Sequence, residues 1–277
     1  MKNRIVVDSC CDLTPEMKSE MGVVSVPLIM MLGDKEFHDD ESLDVVGFME
    51  ELRNFSGKPG SASPPPLFYR EAIEAADNAF VVTLSEKVSG SYNNAVAGND
   101  MAAENGSGAA FVFDSKSASA GETLIAVKLH DLIRSGMSKE KIIETVNRFI
   151  GNMKTYCVFE NYDNLQKNGR LNKITGSLIQ VLNIRLITGA DSNGEFALFD
   201  KCRGVKNMIQ RLLSLIENSG KETQNENLVI THCNNRGLAE QLTALIKERF
   251  DFKNIYIVPT GGLSSLYADD KGIVLAF

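Results

Sequence analysis

Two serine-rich turns contain the side chains of this 277-residue chain that are best suited to bind an anion. The first turn, 59–66, carries Ser61 and Ser63, and the second, 84–92, carries Ser89. Each turn precedes a predicted helix, whose first backbone N–H groups lack partners within the helix and carry a partial positive charge. Hydroxyl groups beside such an end add neutral donors, so the turns can hold a carboxylate or a phosphate. The alternative is that these serines are simple N-caps, a common role for serine.

The elements that must position these turns alternate between short β-type segments and amphipathic helical patterns. Strands are predicted at 5–7, 23–31, 80–84 and 110–113, and helices at 43–54, 68–77, 92–104, 121–135 and from Ser138 to about 150. This alternation is typical of parallel strands with helices on both faces of the sheet. Polar turns also begin at Asp8 and Asp114, so four polar turns are expected at one edge of one sheet, where open α/β sheets bind ligands.

The pattern changes near residue 151. Strands are predicted at 156–159, 184–188, 196–201, 228–231, 255–258 and 273–276, and helices at 205–216 and 238–249. The Asn193-Gly194 pair between two β-type segments is a strong hairpin signal, so this half is expected to contain antiparallel pairing. We therefore expect two α/β domains, 1–150 and 151–277, that pack against each other with a cleft between them.

Composition limits the class of protein. The 29 basic and 36 acidic side chains give a net charge of −7, which argues against nucleic acid or an anionic membrane surface as the default partner. No apolar stretch approaches the length of a membrane-spanning helix, and no secretion signal is recognisable. We therefore expect a cytosolic protein without stable membrane insertion. The five cysteines lack C-x-x-C spacing and are interpreted as reduced, mostly buried thiols.

Common catalytic and cofactor motifs are missing from the sequence. It contains no G-x-x-x-x-G-K-[ST], G-x-G-x-x-G or H-E-x-x-H pattern, and Ser89 lacks the glycine that a nucleophile elbow needs two places earlier. No catalytic residue, cofactor or metal is therefore predicted. The His232-Cys233 pair follows a predicted strand and leaves open a nucleophilic cysteine. The acidic segment 39–44 could hold a cation, but a solvated surface charge is the favoured interpretation.

Several motifs occur in the order found in one family of proteins. They are Asp8-Ser9-x-x-Asp12-Leu13, the turn from Pro59 to Pro66, Leu84-Ser85-x-x-Val88-Ser89-Gly90-Ser91-Tyr92, Asp114-Ser115-Lys116 with Ser119 and Gly121, Asn164-Leu165-x-x-x-Gly169-Arg170-Leu171, Ile184-Arg185-Leu186 and Lys201-x-Arg203-Gly204. By these motifs, which cover nearly the whole chain, the protein resembles the DegV family. The resemblance implies a two-domain α/β fold that combines a mostly parallel N-terminal sheet with a second α/β domain.

The resemblance also implies a function. Family members with an assigned role bind one long-chain fatty acid in an apolar tunnel and present its carboxylate to a separate ATP-binding fatty acid kinase subunit, for phospholipid synthesis. By position, the residues that would bind the carboxylate are Ser61 and Ser89, and Gly90, Arg170 and Ser265 are secondary candidates. From its sequence setting alone, Arg170 is suited to neutralise the head group, to contact a partner protein or to form a surface salt bridge.

Two departures from the family pattern affect the head-group site. The serine that usually follows the first hydroxyl ligand is Ala62 here, and the C-terminal H-x-G-x-G stretch is replaced by segment 261–270. A contact that the family's histidine often supplies is then either absent or taken over by Ser264, Ser265 or Tyr267.

The leading hypothesis is a non-catalytic fatty-acid-binding protein. One alternative is an enzyme that acts on a small carboxylate or phosphate at the same sheet edge through His232 or Cys233. A second alternative is an interaction module without a ligand.

Overall fold

The computed structural model describes residues 3–106, 110–171 and 184–277. The helices are α1 (Pro15–Met21), α2 (Val45–Asn54), α3 (Pro66–Glu74), α4 (Ser91–Glu104), α5 (Ala120–Arg134), α6 (Lys139–Asn152), α7 (Asp163–Lys167), α8 (Val205–Asn218), α9 (Arg236–Lys247) and α10 (Gly262–Ala268). The strands are β1 (Asn3–Asp8), β2 (Val24–Val26), β3 (Ile29–Leu32), β4 (Lys35–His38), β5 (Gly60–Ala62), β6 (Asn78–Thr83), β7 (Phe111–Asp114), β8 (Thr155–Val158), β9 (Ile184–Ala190), β10 (Phe196–Arg203), β11 (Asn227–His232), β12 (Asn254–Pro259) and β13 (Ile273–Ala276).

A four-stranded parallel sheet forms the first half of the fold, with strand order β2-β1-β6-β7. Continuous apolar segments such as 5–7 and 79–82 are buried, as expected for parallel strands covered on both faces. Helix α5 packs on this sheet and on the second large sheet, and nine of its residues are buried. The predicted parallel sheet with helical layers is confirmed.

The second large sheet has six strands in the order β10-β9-β8-β13-β11-β12 and mixes parallel with antiparallel pairs. Strands β9 and β10 form the antiparallel hairpin that Asn193-Gly194 predicts. Gly194 has φ +82°, and its N–H donates to the carbonyl of Asp191 over 3.0 Å. A residue without a side chain suits this left-handed conformation, so the turn residues determine the strand pairing.

Two predictions about the first half are wrong. Segment 23–31 is not one strand: β2 joins the parallel sheet, whereas β3 joins a separate sheet of order β4-β3-β5. Pro27 lies between the two strands, where its missing N–H and fixed φ interrupt regular pairing. The first serine turn does not follow a strand of the parallel sheet either, because Ser61 lies in β5, which pairs antiparallel with β3.

One buried apolar core joins the two halves of the chain. It includes Leu28 and Phe80 from the first half together with Leu186 and Leu263 from the second. The described strands up to Asp114 form the parallel sheet and the β4-β3-β5 sheet. Those from Thr155 onwards form the six-stranded sheet. The division into domains 1–150 and 151–277 stays a prediction. In the described ranges, no helix combines the length and apolar character required to cross a membrane.

Candidate functional site

A cavity of about 360 Å³ lies where the parallel sheet meets the six-stranded sheet. Loops that follow β1, β6 and β7 contribute to its wall, as do residues of β8, β9, β13 and α10. Apart from four alanines, its apolar and thiol side chains are Cys10, Leu28, Leu84, Val88, Cys157, Phe159, Leu165, Phe196, Leu263 and Val274. The wall is thus mostly apolar, with hydroxyl groups from both serine turns, as is typical of a small-molecule site.

The first serine turn presents a hydroxyl group to this cavity. Strand β5 pairs with β3, where Ser61 is opposite Met30, and this pairing fixes the position of Ser61 on the cavity wall. Ser61 Oγ lies 2.7 Å from the hydroxyl of Tyr267, which lines the same cavity from α10. The sequence does not indicate this contact, because the two residues are 206 positions apart.

The second serine turn brings Ser89 to the same cavity. Ser89 Oγ lies 3.0 Å from Ser91 Oγ and accepts the Ser91 N–H over 3.2 Å. The N-cap positions of α3 and α4 are occupied by Pro65 and Gly90, and neither caps its helix through a side chain. The interpretation of Ser61 as a simple N-cap is therefore wrong, and Ser89 satisfies one first-turn amide while it also faces the cavity.

A short network holds the two turns against each other. The Asn94 side-chain amide on α4 donates to Ser63 Oγ and to the carbonyl of Pro64, each over 2.9 Å. A Cβ atom at Gly90 would lie 3.0 Å from Ser63 Oγ, so a larger residue there would press on the first turn. Gly90 thus permits the close approach of the two turns. Ser61 and Ser89 both lie on the wall of the same cavity.

Arg170 carries the only charge among the described residues that line the cavity. Its side chain is half-buried, its Nη1 donates to the carbonyl of Asn168 over 2.7 Å, and its guanidinium lies 5.4 Å from the ring centroid of Tyr267. Asn168 in turn donates to the carbonyl of Pro59 in the first serine turn. Arg170 is therefore held beside Ser61 and Tyr267 by contacts from the loop after α7, and an anion in this part of the cavity would lie near a positive charge.

The remaining predicted site residue, Ser265, is placed differently. Ser265 is buried, and its hydroxyl lies 2.7 Å from that of Thr260; the cavity wall is lined instead by its neighbour Ser264. Ser264 Oγ lies 3.4 Å from the carbonyl of Cys10 and faces that backbone. A direct role of Ser265 stays a prediction, and in this structure its contacts are internal to the fold.

Buried carboxyl groups lie behind the cavity and hold α10 in place. Asp12 accepts the N–H of Gly261 over 2.7 Å and the hydroxyl of Ser119 over 2.5 Å. Asp39 accepts the N–H groups of Gly262 and Leu263 over 2.8 and 3.0 Å. The expectation that the acidic segment 39–44 is solvated surface charge is thus wrong for Asp39, which is buried. Its carboxylate accepts hydrogen bonds from N–H groups at the start of α10 that have no partner within the helix.

Burial raises the pKa of the carboxyl groups behind the cavity. Burial raises the pKa of Asp8 to about 6 and the pKa of Asp12 to about 7. Burial, with the neighbouring Asp8 as a further cause, holds the pKa of Glu122 well above its usual range. In the described parts of the chain, no group of three or more metal-binding side chains is suitably arranged to hold a metal ion.

The His232-Cys233 pair does not form an activated nucleophile in this arrangement. Cys233 is buried and does not line the 360 Å³ cavity, whose described lining includes neither residue. Burial raises the pKa of the Cys233 thiol and lowers that of the His232 imidazole, so both groups favour their neutral forms. Since the thiolate is the nucleophile, this geometry does not favour an enzyme that works through Cys233. The five cysteines are free thiols, as predicted.

The family relationship follows from comparison with known proteins. A family model described as "uncharacterised protein, DegV family" matches residues 2–276. The chain belongs to the DegV family. The order of motifs and the α/β architecture predicted from the sequence agree with this membership.

Similar proteins cover almost the full length of this DegV protein. A DegV domain-containing protein of Streptococcus pneumoniae is 35% identical over 99% of this chain and 98% of its own. A crystal structure of a Ruminococcus gnavus DegV family protein with vaccenic acid is 36% identical, with a TM-score of 0.95 over 99% of both chains. The S. pneumoniae Fatty Acid Kinase (Fak) B3 protein loaded with linoleic acid is 34% identical, with a TM-score of 0.93 over 100% of this chain and 99% of that protein.

Proposed function

We propose that this protein binds one long-chain fatty acid in the 360 Å³ cavity and presents its carboxylate to a separate, ATP-binding fatty acid kinase subunit. The observation that carries the proposal is one mostly apolar cavity whose wall also includes Ser61, Ser89 and the positively charged Arg170. An acyl chain with a carboxylate head matches that distribution of apolar, hydroxyl and cationic groups. The similar proteins crystallised with vaccenic and linoleic acids support the same ligand class.

The acyl chain supplies most of the binding free energy in this proposal. Burial of each methylene contributes about 0.8 kcal/mol, so a chain of about sixteen carbons contributes roughly 12 kcal/mol before ordering costs. Side chains such as Leu28, Phe159 and Val274 line the cavity and offer the required apolar contacts. Affinity is therefore expected to depend chiefly on tail contacts.

The head group is oriented by polar contacts in this proposal. Ser61 and Ser89 donate hydroxyl groups to the carboxylate, and Arg170 supplies a positive charge nearby. A hydrogen bond to a charged group contributes about 1.5–3 kcal/mol, which is comparable to the cost of removing that group from water. The two serines therefore fix the direction of the carboxylate more than they increase affinity.

The proposed kinase partnership is supported by the likeness to the S. pneumoniae Fatty Acid Kinase (Fak) B3 protein. The described cavity wall contains no carboxylate, histidine or lysine that would serve as a general base. A carboxylate bound by neutral hydroxyl groups is suited to be presented to a second protein, which binds ATP and phosphorylates it. We place this activity in the cytosol, where ATP is available, and regard the protein as the non-catalytic, binding subunit.

The experiment that tests the ligand is a calorimetric titration of delipidated protein with oleate and, separately, with phosphate and with acetate. The proposal predicts saturable uptake of one oleate per chain and no measurable uptake of the small anions. Uptake of phosphate or acetate without uptake of oleate would favour the small-anion enzyme. A protein that binds none of these probes would favour the ligand-free interaction module.

A further inference from the structure

We propose that Tyr267 is the third hydroxyl donor to the ligand carboxylate and that Arg170 is the residue that positions it. This inference rests on the proposed fatty-acid function and concerns the chemistry of the same cavity. The inference is based on the position of the Tyr267 hydroxyl, which lies 2.7 Å from Ser61 Oγ. Both residues line the cavity.

The Ser61–Tyr267 pair has one hydroxyl proton that is not used in the hydrogen bond between the two residues. Two hydroxyl groups joined by one hydrogen bond use one of their two protons, so the other proton is free to donate to an acceptor in the cavity. A carboxylate oxygen placed beside the pair can receive that proton, and with a small rotation of both hydroxyls it can receive two. The pair thus satisfies its own polar groups in the empty protein and supplies donors when an anion enters.

Tyr267 is held in place from two directions. Its helix, α10, is tied at the N-terminal end by the Asp39 carboxylate, and Asn164 donates to the carbonyl of Leu266 over 2.9 Å. On its ring, the Arg170 guanidinium lies 5.4 Å from the centroid, a distance at which a cation and an aromatic face attract each other. The hydroxyl of Tyr267 is therefore preorganised, and the positive charge above the ring strengthens it as a donor to an anion.

The two other hydroxyls of α10 are less suited to this role. Ser265 is paired with Thr260 over 2.7 Å and lies outside the described cavity lining. Ser264 lines the cavity, but its hydroxyl is directed to Cys10, with the carbonyl 3.4 Å and the thiol sulfur 3.6 Å away. Tyr267 alone among these three hydroxyls contacts a residue of the first serine turn, because it bonds Ser61.

The test measures the pKa of the bound carboxyl group. Hydrogen bonds donated to a carboxylate stabilise its charged form and lower its pKa. The carbon-13 NMR shift of bound [1-¹³C]oleate, followed against pH, reports this pKa directly in the full-length protein. Uptake of oleate by the wild-type protein tests the proposed function first, and the variants test the inference only through the difference between their bound pKa values.

The matched variants are Tyr267→Phe, which removes one oxygen, and Tyr256→Phe, which removes the same oxygen from a half-buried tyrosine of β12 that lies outside the described cavity lining. We expect Tyr267→Phe to raise the bound carboxyl pKa by about one unit and to weaken oleate binding by less than tenfold, because tail contacts supply most of the affinity. Tyr256→Phe should leave both quantities at the wild-type values. Tyr267→Gln keeps an N–H donor, so the bound carboxyl pKa should be lower in this variant than in Tyr267→Phe. It serves as a second variant in case Tyr267→Phe does not fold.

Arg170 is tested by its dependence on Tyr267. Arg170→Met should raise the bound carboxyl pKa in the wild-type background, and this increase should be at most half as large in the Tyr267→Phe background. Equal increases in both backgrounds would mean that Arg170 acts on the carboxylate directly, which would overturn the positioning role. An increase of less than half a pKa unit in Tyr267→Phe, or an equal or larger increase in Tyr256→Phe, would overturn the assignment of Tyr267.

Discussion

Ser85 Oγ donates a hydrogen bond of 2.7 Å to the carbonyl of Gly194. This contact joins the second serine turn, which follows β6, to the tip of the β9–β10 hairpin from the other half of the chain. Gly194 also lines the cavity that Ser89 lines. The bond therefore closes the two halves over the proposed lipid site, and the hairpin tip is positioned by the same turn that carries Ser89.

Gly194→Ala should destabilise the protein and open this closure. Gly194 has φ +82°, and an added Cβ would overlap Ser85 Oγ and the backbone of Lys116. We expect a loss of about 2–4 kcal/mol in the free energy of unfolding, from left-handed strain and overpacking together. Gly220→Ala is the control, because Gly220 has φ +66° but no neighbour near its Cβ position, so about 1–2 kcal/mol is expected. Equal losses in urea titrations would show that the hairpin tip is not tightly packed.

Replacement of the two predicted head-group ligands should separate delivery from tail binding. In the double variant Ser61→Ala/Ser89→Ala, the acyl chain keeps its apolar contacts, whereas the carboxylate loses two donors. Acyl phosphate formation with the kinase subunit should fall at least tenfold, and oleate affinity should fall less. Ser135→Ala, an exposed serine at the end of α5, is the control for both assays. A loss of the same size in both assays would contradict the orienting role of the serines.

The buried acids should make the free energy of unfolding fall as the pH rises from 6 to 8. In an unfolded chain, Asp8 and Asp12 lose their protons near pH 3.9, whereas in the fold their pKa values are about 6 and about 7. The folded protein therefore binds protons that the unfolded chain has released, and this contribution disappears as the pH passes the folded pKa values. The two groups together account for a fall of about 2 kcal/mol between pH 6 and pH 8.

Asp12→Asn checks this assignment. The side chain of asparagine accepts the N–H of Gly261 without a proton that titrates, so most of the pH slope should vanish in urea titrations of the delipidated variant. Asp131→Asn, an exposed position on α5, should keep the wild-type slope. An unchanged slope in Asp12→Asn would mean that Asp12 is ionised throughout this pH range.

A larger side chain inside the cavity should restrict the acyl chain. Ala118 lines the cavity and is half-buried, so Ala118→Leu places three additional carbons where the tail would lie. We expect affinity for an eighteen-carbon acid to fall about tenfold or more and affinity for a ten-carbon acid to change little, measured by competition with a fluorescent acid. Ala103→Leu on the exposed face of α4 is the control. Equal effects on both acids would place Ala118 away from the tail.

The regular elements were predictable because their signals are local. The apolar segments of β1 and β6, the Ser138 cap of α6 and the Asn193-Gly194 hairpin depend on residues close in sequence. Ser138 Oγ, for example, accepts the N–H of Lys141 as the pattern predicts. Short elements such as α1, β4, α7 and α10 were missed, because four to seven residues give too little periodicity to identify a helix or strand.

The sequence indicates candidate residues for the site but not the contacts between them. The serine turns and Arg170 stand out in sequence, and the structure brings Ser61, Ser89, Gly90 and Arg170 to one cavity. Tyr267 and Asp39 act through partners more than 200 residues away, which periodicity cannot reveal. Burial of Asp39 likewise depends on the packing of α10, so its acidic neighbours made it resemble a surface residue.

The central claim is that one fatty acid occupies the cavity of this protein. Native mass spectrometry of the protein as purified from a fatty-acid-containing medium, followed by a spectrum under denaturing conditions, tests it most directly. We predict a mass excess of one long-chain fatty acid that vanishes on denaturation. A bare protein in both spectra that also takes up no added palmitate or oleate would contradict the claim.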